Sequence, residues 1–133
     1  MAATMNIPLA ALAPGGGTGP GGEYDFPASG GAAITDTDRQ VTLTIDRTVA
    51  GGFNAVSSAV SVAIEIWQSV DGGASWQNLV TATWTGGTPP AGARNPDQNI
   101  LIAYLAPGAS RLARAVVRVS GGSIAVQGSL VIA

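Results

Sequence analysis

The side chains that carry most enzyme chemistry are missing from this sequence. Its 133 residues include no histidine and no cysteine, and all six basic residues are arginines. Zinc, copper and non-haem iron sites draw on histidine and cysteine, a Schiff base needs lysine, and the usual nucleophilic relays need histidine or cysteine. What remains is the chemistry of eight carboxylates. We therefore expect a protein that is not an enzyme and that holds no cofactor.

Three aspartates close together in the sequence suggest one use of the carboxylates. Asp36, Asp38 and Asp46 could supply oxygen ligands to calcium, a hard cation that accepts carboxylate and carbonyl groups. Their spacing matches no complete EF-hand loop, because no glycine and no terminal glutamate follow in register. A solvated turn is the favoured interpretation, and we predict no metal site.

Glu65, close to Trp67 in the sequence, suggests a second use of the carboxylates. Glycoside hydrolysis needs a pair of carboxylates, and Glu65 is the one acid in the middle of a predicted strand, on the same face as Trp67. An aromatic ring beside polar groups is instead compatible with a carbohydrate-binding module of an adhesin or tail fibre. Trp67, Trp84 and Tyr104 are the candidate stacking residues. Exposure of the three in one row would favour glycan binding, whereas their burial would favour a structural role.

The composition limits the choice of partner. Charged residues make up 11% of the chain, against about 25% in ordinary soluble domains, so we expect much of the surface to be covered by other molecules. The net charge is −2, and a protein that binds phosphate backbones would carry a basic face. No apolar run approaches the roughly 18 residues of a membrane span. Nucleic acid and membrane are therefore not expected partners.

Alternating apolar and polar residues predict strands along most of the chain. Residues 40–47 alternate cleanly, and residues 60–84 have the pattern of two strands joined at Asp71, Gly72 and Gly73. A three-residue loop at this point would place apolar residues opposite one another on one face. The predicted pairs are Val60 with Trp84, Val62 with Ala82, and Ile64 with Val80.

The loop of this hairpin carries a recognisable motif. Residues 69–76, Ser-Val-Asp-Gly-Gly-Ala-Ser-Trp, resemble the Asp-box, a hairpin motif found in sialidases, in other β-propellers and in isolated β domains that include phage proteins. The resemblance implies that Asp71 braces the turn made by Gly72 and Gly73, and that Trp76 packs beneath it. A propeller would need repeated copies, and one copy occurs here. The motif therefore supports a structural turn.

The remaining strands complete the predicted fold. Residues 99–105 form a short apolar run suited to a strand that is buried on both faces, and Gly121-Gly122 indicates a second hairpin with Val119 opposite Ile124 and Val117 opposite Val126. A helix over residues 112–119 is disfavoured by their β-branched side chains. With six strands, and a seventh from residues 5–12, the sequence predicts an all-β antiparallel sandwich over residues 34–133, either Ig-like or jelly-roll-like.

Residues 1–33 are predicted to form an extended arm. Residues 13–31 contain too much glycine and proline to hold a regular element, and residues 5–12 could add an edge strand or dock in a groove. Ordering such a segment costs about 1–2 kcal/mol per residue, which contacts with a neighbouring subunit would offset. The apolar residues available for these contacts are Ile7, Leu9, Leu12, Tyr24 and Phe26.

The charges suggest how an arm could be oriented. Arg111, Arg114 and Arg118 lie near the end of the chain, whereas most acids lie in its first part. Glu23 and Asp25 could therefore pair with the arginines of another copy. Scattered solvated charge is the alternative.

The general build resembles that of the small β-sandwich decoration, cement and tail proteins of tailed bacteriophages. The resemblance implies a structural protein located in the virion, whose partners are copies of itself and other virion proteins. A carbohydrate-binding module, with a glycan as its partner, is the competing function.

Overall fold

The computed structural model of the chain describes residues 3–27, 30–35 and 37–133. In these residues there is no helix, and nine strands form two antiparallel sheets, which confirms the predicted all-β class. The strands are β1 (Ala3–Leu12), β2 (Tyr24–Phe26), β3 (Ala32–Ala33), β4 (Gln40–Asp46), β5 (Ser61–Ser69), β6 (Gln77–Thr85), β7 (Gln98–Tyr104), β8 (Leu112–Ser120) and β9 (Ile124–Ile132).

The two sheets enclose one apolar core in a sandwich-like arrangement. The first sheet, sheet A, has the strand order β1-β9-β4-β7, and the second, sheet B, has the order β2-β8-β5-β6 with β3 also paired to β8. Every second residue of the central strands is buried, as in Val41, Leu43 and Ile45 of β4 and Val62 and Ile64 of β5. Because side chains alternate across a strand, each sheet turns one face to the core and the other outward.

The predicted register of the first hairpin is wrong by two residues. Val62 lies opposite Trp84, Ile64 opposite Ala82, and Ile66 opposite Val80. A shift of two keeps the apolar residues on the same face, so the hydrophobic pattern alone does not separate the two registers. The loop decides between them, because the residues between β5 and β6 number seven rather than three.

The second predicted hairpin does not form. β8 pairs with β5, β2 and β3 in sheet B, whereas β9 pairs with β1 and β4 in sheet A. Gly121 and Gly122 therefore carry the chain from one sheet to the other. Gly121 has a φ of 79°, and a Cβ there would lie 2.0 Å from the carbonyl oxygen of Ala59. Only glycine allows this close passage between the sheets.

The N-terminal residues are paired with the rest of the chain. β1 runs antiparallel to β9, with one irregularity between Ile7 and Ala10. β2 and β3 pair with β8, so the expectation that residues 13–31 hold no regular element is wrong for Tyr24–Phe26. These two short strands are the additions to the six or seven predicted. Residues 1, 2, 28 and 29 of the predicted arm lie outside the described residues.

Candidate functional site

Sheet A ends in a strand whose outward face is apolar and exposed. Ile100, Ile102 and Tyr104 of β7 are 42%, 43% and 75% exposed, while Leu101 and Ala103 between them are buried. The expectation that this run is buried on both faces is wrong, because sheet B packs against one face of sheet A and the other face is left exposed. β7 also lies at the edge of the sheet, where its described partner is β4. The alternation of large apolar residues was visible in the sequence, but the position at an edge was not.

The rest of sheet A's outer face is almost free of charge. Across the four described strands of this sheet, Asp46 is the one residue that is charged at neutral pH, and it stands at the end of β4. Hydrogen bonds from the Thr48 hydroxyl and backbone N–H, at 2.6 and 2.8 Å, lower the pKa of Asp46. Small hydroxyl and apolar side chains cover the centre of the face. They are Thr42, Thr44, Ser129 and Val131.

The backbone of β7 has one bonded and one open side. Leu105 N–H donates to Arg39 O at 2.9 Å, and Arg47 N–H donates to Asp97 O at 2.8 Å. In an antiparallel ladder these bonded pairs alternate with pairs that turn their N–H and C=O groups the other way. The odd-numbered residues of β7 therefore bond to β4. The even-numbered ones, from Gln98 to Tyr104, direct their backbone groups away from the sheet.

The predicted arm residues take up different positions. Ile7 and Leu12 are buried in the core of their own chain, whereas Leu9 is 56% exposed at the irregularity in β1. Tyr24 and Phe26 pack against the same core. The Tyr24 hydroxyl accepts the Ala13 N–H at 2.9 Å and donates to the Ala13 carbonyl at 3.2 Å. Of these five residues, Leu9 offers the most surface to another molecule.

Arg111 is buried and is bound by its own chain. Its guanidinium donates to the carbonyl oxygens of Thr35, Asp38 and Ala106, the last two at 3.1 Å each. Asp38 is also buried, and its carboxylate accepts the Thr35 N–H at 2.8 Å, which is the largest cause of its lowered pKa. Arg111 and Asp38 thus fix the segment that leads into β4.

The other two arginines lie on the outer face of sheet B. Arg118 donates to Glu65, and this hydrogen bond is the main reason why the pKa of Arg118 is raised. The charges of Glu23 and Asp25 in the same chain raise it further. The Arg114 guanidinium lies 4.3 Å from the centre of the Trp76 ring, a cation–π contact.

The Asp-box-like loop is closed by hydrogen bonds to Asp71. Its carboxylate accepts the Ser69 hydroxyl at 2.7 Å, the Ser75 N–H at 2.9 Å and the Ser75 hydroxyl at 2.5 Å. The Ser75 hydroxyl is the largest of the effects that lower the pKa of Asp71 to about 2. Gly72 and Gly73 have φ values of 72° and 97°, which side chains disfavour. The loop geometry is that of a braced turn.

The three candidate stacking aromatics do not share a surface. Trp84 packs against the core and meets Phe53 edge to face at 6.2 Å. Tyr104 lies on sheet A, and Trp67 lies on the outer face of sheet B, where its Nε1 donates to Glu65 at 3.3 Å. They form no row.

Trp67 nevertheless has an unusual polar environment. In the register of sheet B it lies between Asn78 of β6 and Arg114 of β8. The Asn78 Nδ2 and Arg114 Nε atoms are buried and make no hydrogen bond within the described chain. Two unpaired donors therefore flank one half-buried aromatic ring, a feature that sequence reasoning missed.

The carboxylates do not assemble into a metal site in the described part of the chain, where no three potential ligands lie together. Asp36, one of the three aspartates considered for calcium, lies outside the described residues. The described residues also include no helix long and apolar enough to cross a membrane. Comparisons with protein-family models, with curated proteins and with solved structures found no match for this chain.

Proposed function

We propose that this chain is a non-enzymatic structural component of a large protein assembly that acts through contacts between subunits. More specifically, we propose a bacteriophage virion protein, either a decoration or cement protein of the capsid or a component of the tail. The build of a small β-sandwich, Ig-like or jelly-roll-like, is in keeping with this role. Its partners would be copies of itself and other virion proteins.

One observation carries the proposal, namely the low charge and apolar edge of sheet A. A free protein surface normally mixes both signs of charge, and charged residues are depleted in the centres of interfaces. In the described strands of sheet A the one residue that is charged at neutral pH is Asp46, and exposed Ile100, Ile102 and Tyr104 line the edge strand. Sheet B, in contrast, carries Glu65 and Arg118 on its outer face. The two faces of the sandwich thus differ in the way expected when one of them is covered.

The experiment has two parts, self-association and location. The purified full chain is expected to form species larger than the monomer in sedimentation velocity as its concentration rises. Ile102→Lys should weaken this association by placing a charge on β7. Thr83→Lys is the matched control, because Thr83 is exposed on β6, the edge strand of sheet B. Equal association of both variants would contradict the role of sheet A.

The location is tested with an antibody raised against the full chain. The antibody is expected to label purified virus particles in electron micrographs, and to detect the chain in the particle fractions of a density gradient. Presence of the chain only in the soluble fractions at the top of the gradient would refute the virion assignment.

Carbohydrate binding remains a second candidate because of the unpaired donors beside Trp67. An aromatic ring is suited to the apolar face of a sugar ring. The amide and guanidinium N–H groups are buried in the single chain and would meet sugar hydroxyls once the Asn78 and Arg114 side chains move. If a glycan binds there, Trp67→Ala should abolish binding at unchanged melting temperature, and Trp67→Phe should retain part of it. Failure of the unaltered chain to bind any glycan on an array would remove this candidate.

A further inference from the structure

We propose that the β7 edges of two copies pair antiparallel about a two-fold axis at Leu101, which joins two sheets A into one continuous eight-stranded sheet. This inference rests on the proposed function for the idea that copies of the chain meet. It adds the strand, the symmetry and the register of the contact.

The open backbone groups of β7 define what the contact must satisfy. Each copy has four even-numbered residues, from Gln98 to Tyr104, whose N–H and C=O groups point away from β4. Exposed edges of this kind are templates for pairing with another strand. A second β7 supplies the matching groups, because in a symmetric antiparallel pair each open residue faces an open residue of the second copy and exchanges two N–H···O bonds with it.

Symmetry and hydrogen bonding together select one register. A two-fold pairing centred on Leu101 places Gln98 opposite Tyr104 and Ile100 opposite Ile102 of the second copy. All four even-numbered residues of each strand then find an even-numbered partner. Moving the axis to Ile100 would set Tyr104 opposite Pro96, which has no N–H to donate. Moving it to Ile102 would set Gln98 opposite Ala106, which lies beyond the strand.

The outward side chains fit the same register. Ile100 and Ile102 form two symmetric cross-strand pairs, and β-branched pairs on one face stabilise neighbouring strands. Gln98 lies opposite Tyr104, whose ring is 75% exposed in the single chain. The contact therefore covers the sides of these residues that face the second copy, while their outer surface stays open.

The charges at the ends of β7 favour the antiparallel orientation. β7 itself carries no charge, and Arg39 lies beside one end through the hydrogen bond to Leu105. The other end has Asp97, with Asp46 and Arg47 at the end of the neighbouring strand, so its charges sum to −1. In the antiparallel pair each Asp97 lies two strands, or about 10 Å between Cα atoms, from Arg39 of the second copy. A parallel pair would instead bring the two Asp97 residues together. Opposite charges at both ends thus support a second copy as the occupant.

β7 is also the least protected of the long edges in the described chain. The β1 edge contains Pro8 and an irregularity between Ile7 and Ala10, and the hairpin ladder of β6 is interrupted beside Trp67. Prolines and bulges are the devices by which sheets avoid pairing at their edges. The β7 ladder is regular over all seven residues and contains no proline.

The size of the contact indicates its strength. Seven paired residues extend for about 24 Å, and an interface limited to one strand pair buries less than the roughly 1,200 Å² of a stable complex. We therefore expect a dimer that forms at high concentration, as within a particle, and dissociates on dilution.

Cysteine cross-linking tests the register directly, because the chain contains no cysteine of its own. In the proposed register Ile100 and Ile102 of two copies are about 5.5 Å apart between Cα atoms, which is within disulfide range. Two copies of Ile100 are roughly 9 Å apart, from the strand rise and the pair distance. Mixing Ile100→Cys with Ile102→Cys under mild oxidation should therefore give a disulfide-linked dimer. Neither variant alone should do so.

The possible results separate the inference from the proposed function. Cross-linking of the mixture alone supports the register, whereas cross-linking of Ile100→Cys alone or Ile102→Cys alone would overturn it. If the unaltered chain associates and the mixture does not cross-link, the β7 pairing is wrong while a role in an assembly stands. Circular dichroism of each variant verifies that the fold is retained.

Discussion

Substitutions at Leu9 and Leu12 form a matched pair that tests whether β1 packs into the core of its own chain. Both leucines lie in β1, three residues apart, but Leu12 is 2% exposed and faces the core, whereas Leu9 is 56% exposed. Leu12 also lies opposite Ile124 of β9. If residues 1–33 were a detachable arm of the isolated chain, truncating either side chain would have the same small effect on stability.

From these positions we expect the two substitutions to lower the free energy of unfolding by very different amounts. Replacing a buried leucine by alanine costs about 2–5 kcal/mol, because the transfer free energy is lost and a cavity remains. For a domain of this size each kcal/mol corresponds to roughly 3–5 °C, so Leu12→Ala should lower the melting temperature by roughly 6–25 °C. Leu9→Ala removes an exposed side chain and should change the free energy of unfolding by no more than about 0.5 kcal/mol.

Thermal and urea unfolding of the two variants, followed by circular dichroism, measure this difference. Nearly equal melting temperatures would refute the placement of β1 in the core. The concentration of protein is a second variable, because a strand supplied by a neighbouring copy makes the melting temperature depend on concentration. A large effect of Leu12→Ala at every concentration supports β1 in its own chain. It would also mean that deleting residues 1–33 damages the fold.

Two further expectations concern the loop and the edge of sheet A. Hydrogen bonds hold the pKa of Asp71 at about 2, below its ordinary 3.8, so its stabilising contribution is complete above about pH 4 and is lost as the pH falls through 2. Asp71→Asn should therefore lower the melting temperature near pH 6, and the difference from the unaltered chain should shrink toward pH 2; a difference independent of pH would contradict this. Ile102→Lys should shift sedimentation toward the monomer and Thr83→Lys should not, unless the association uses another surface.

Local pattern was sufficient to predict the strands themselves. In β4 the alternation of Val41, Leu43 and Ile45 with threonines predicts a strand with one buried face, and the structure confirms it. The seven-residue loop held by Asp71 shows the limit of the same pattern. Period-two alternation is unchanged by a shift of two residues, so the register depended on hydrogen bonds within the loop.

The sequence by itself determined an all-β chain, the alternating faces of its strands and the absence of histidine, cysteine and lysine chemistry. Only the tertiary structure decided which strands are neighbours. Gly121-Gly122 has the sequence of a hairpin turn, yet it joins two sheets, because β9 finds its partners in β1 and β4. The open backbone edge of β7 arises in the same way. Whether a strand lies at an edge depends on pairing between residues far apart in the chain, which no local periodicity records.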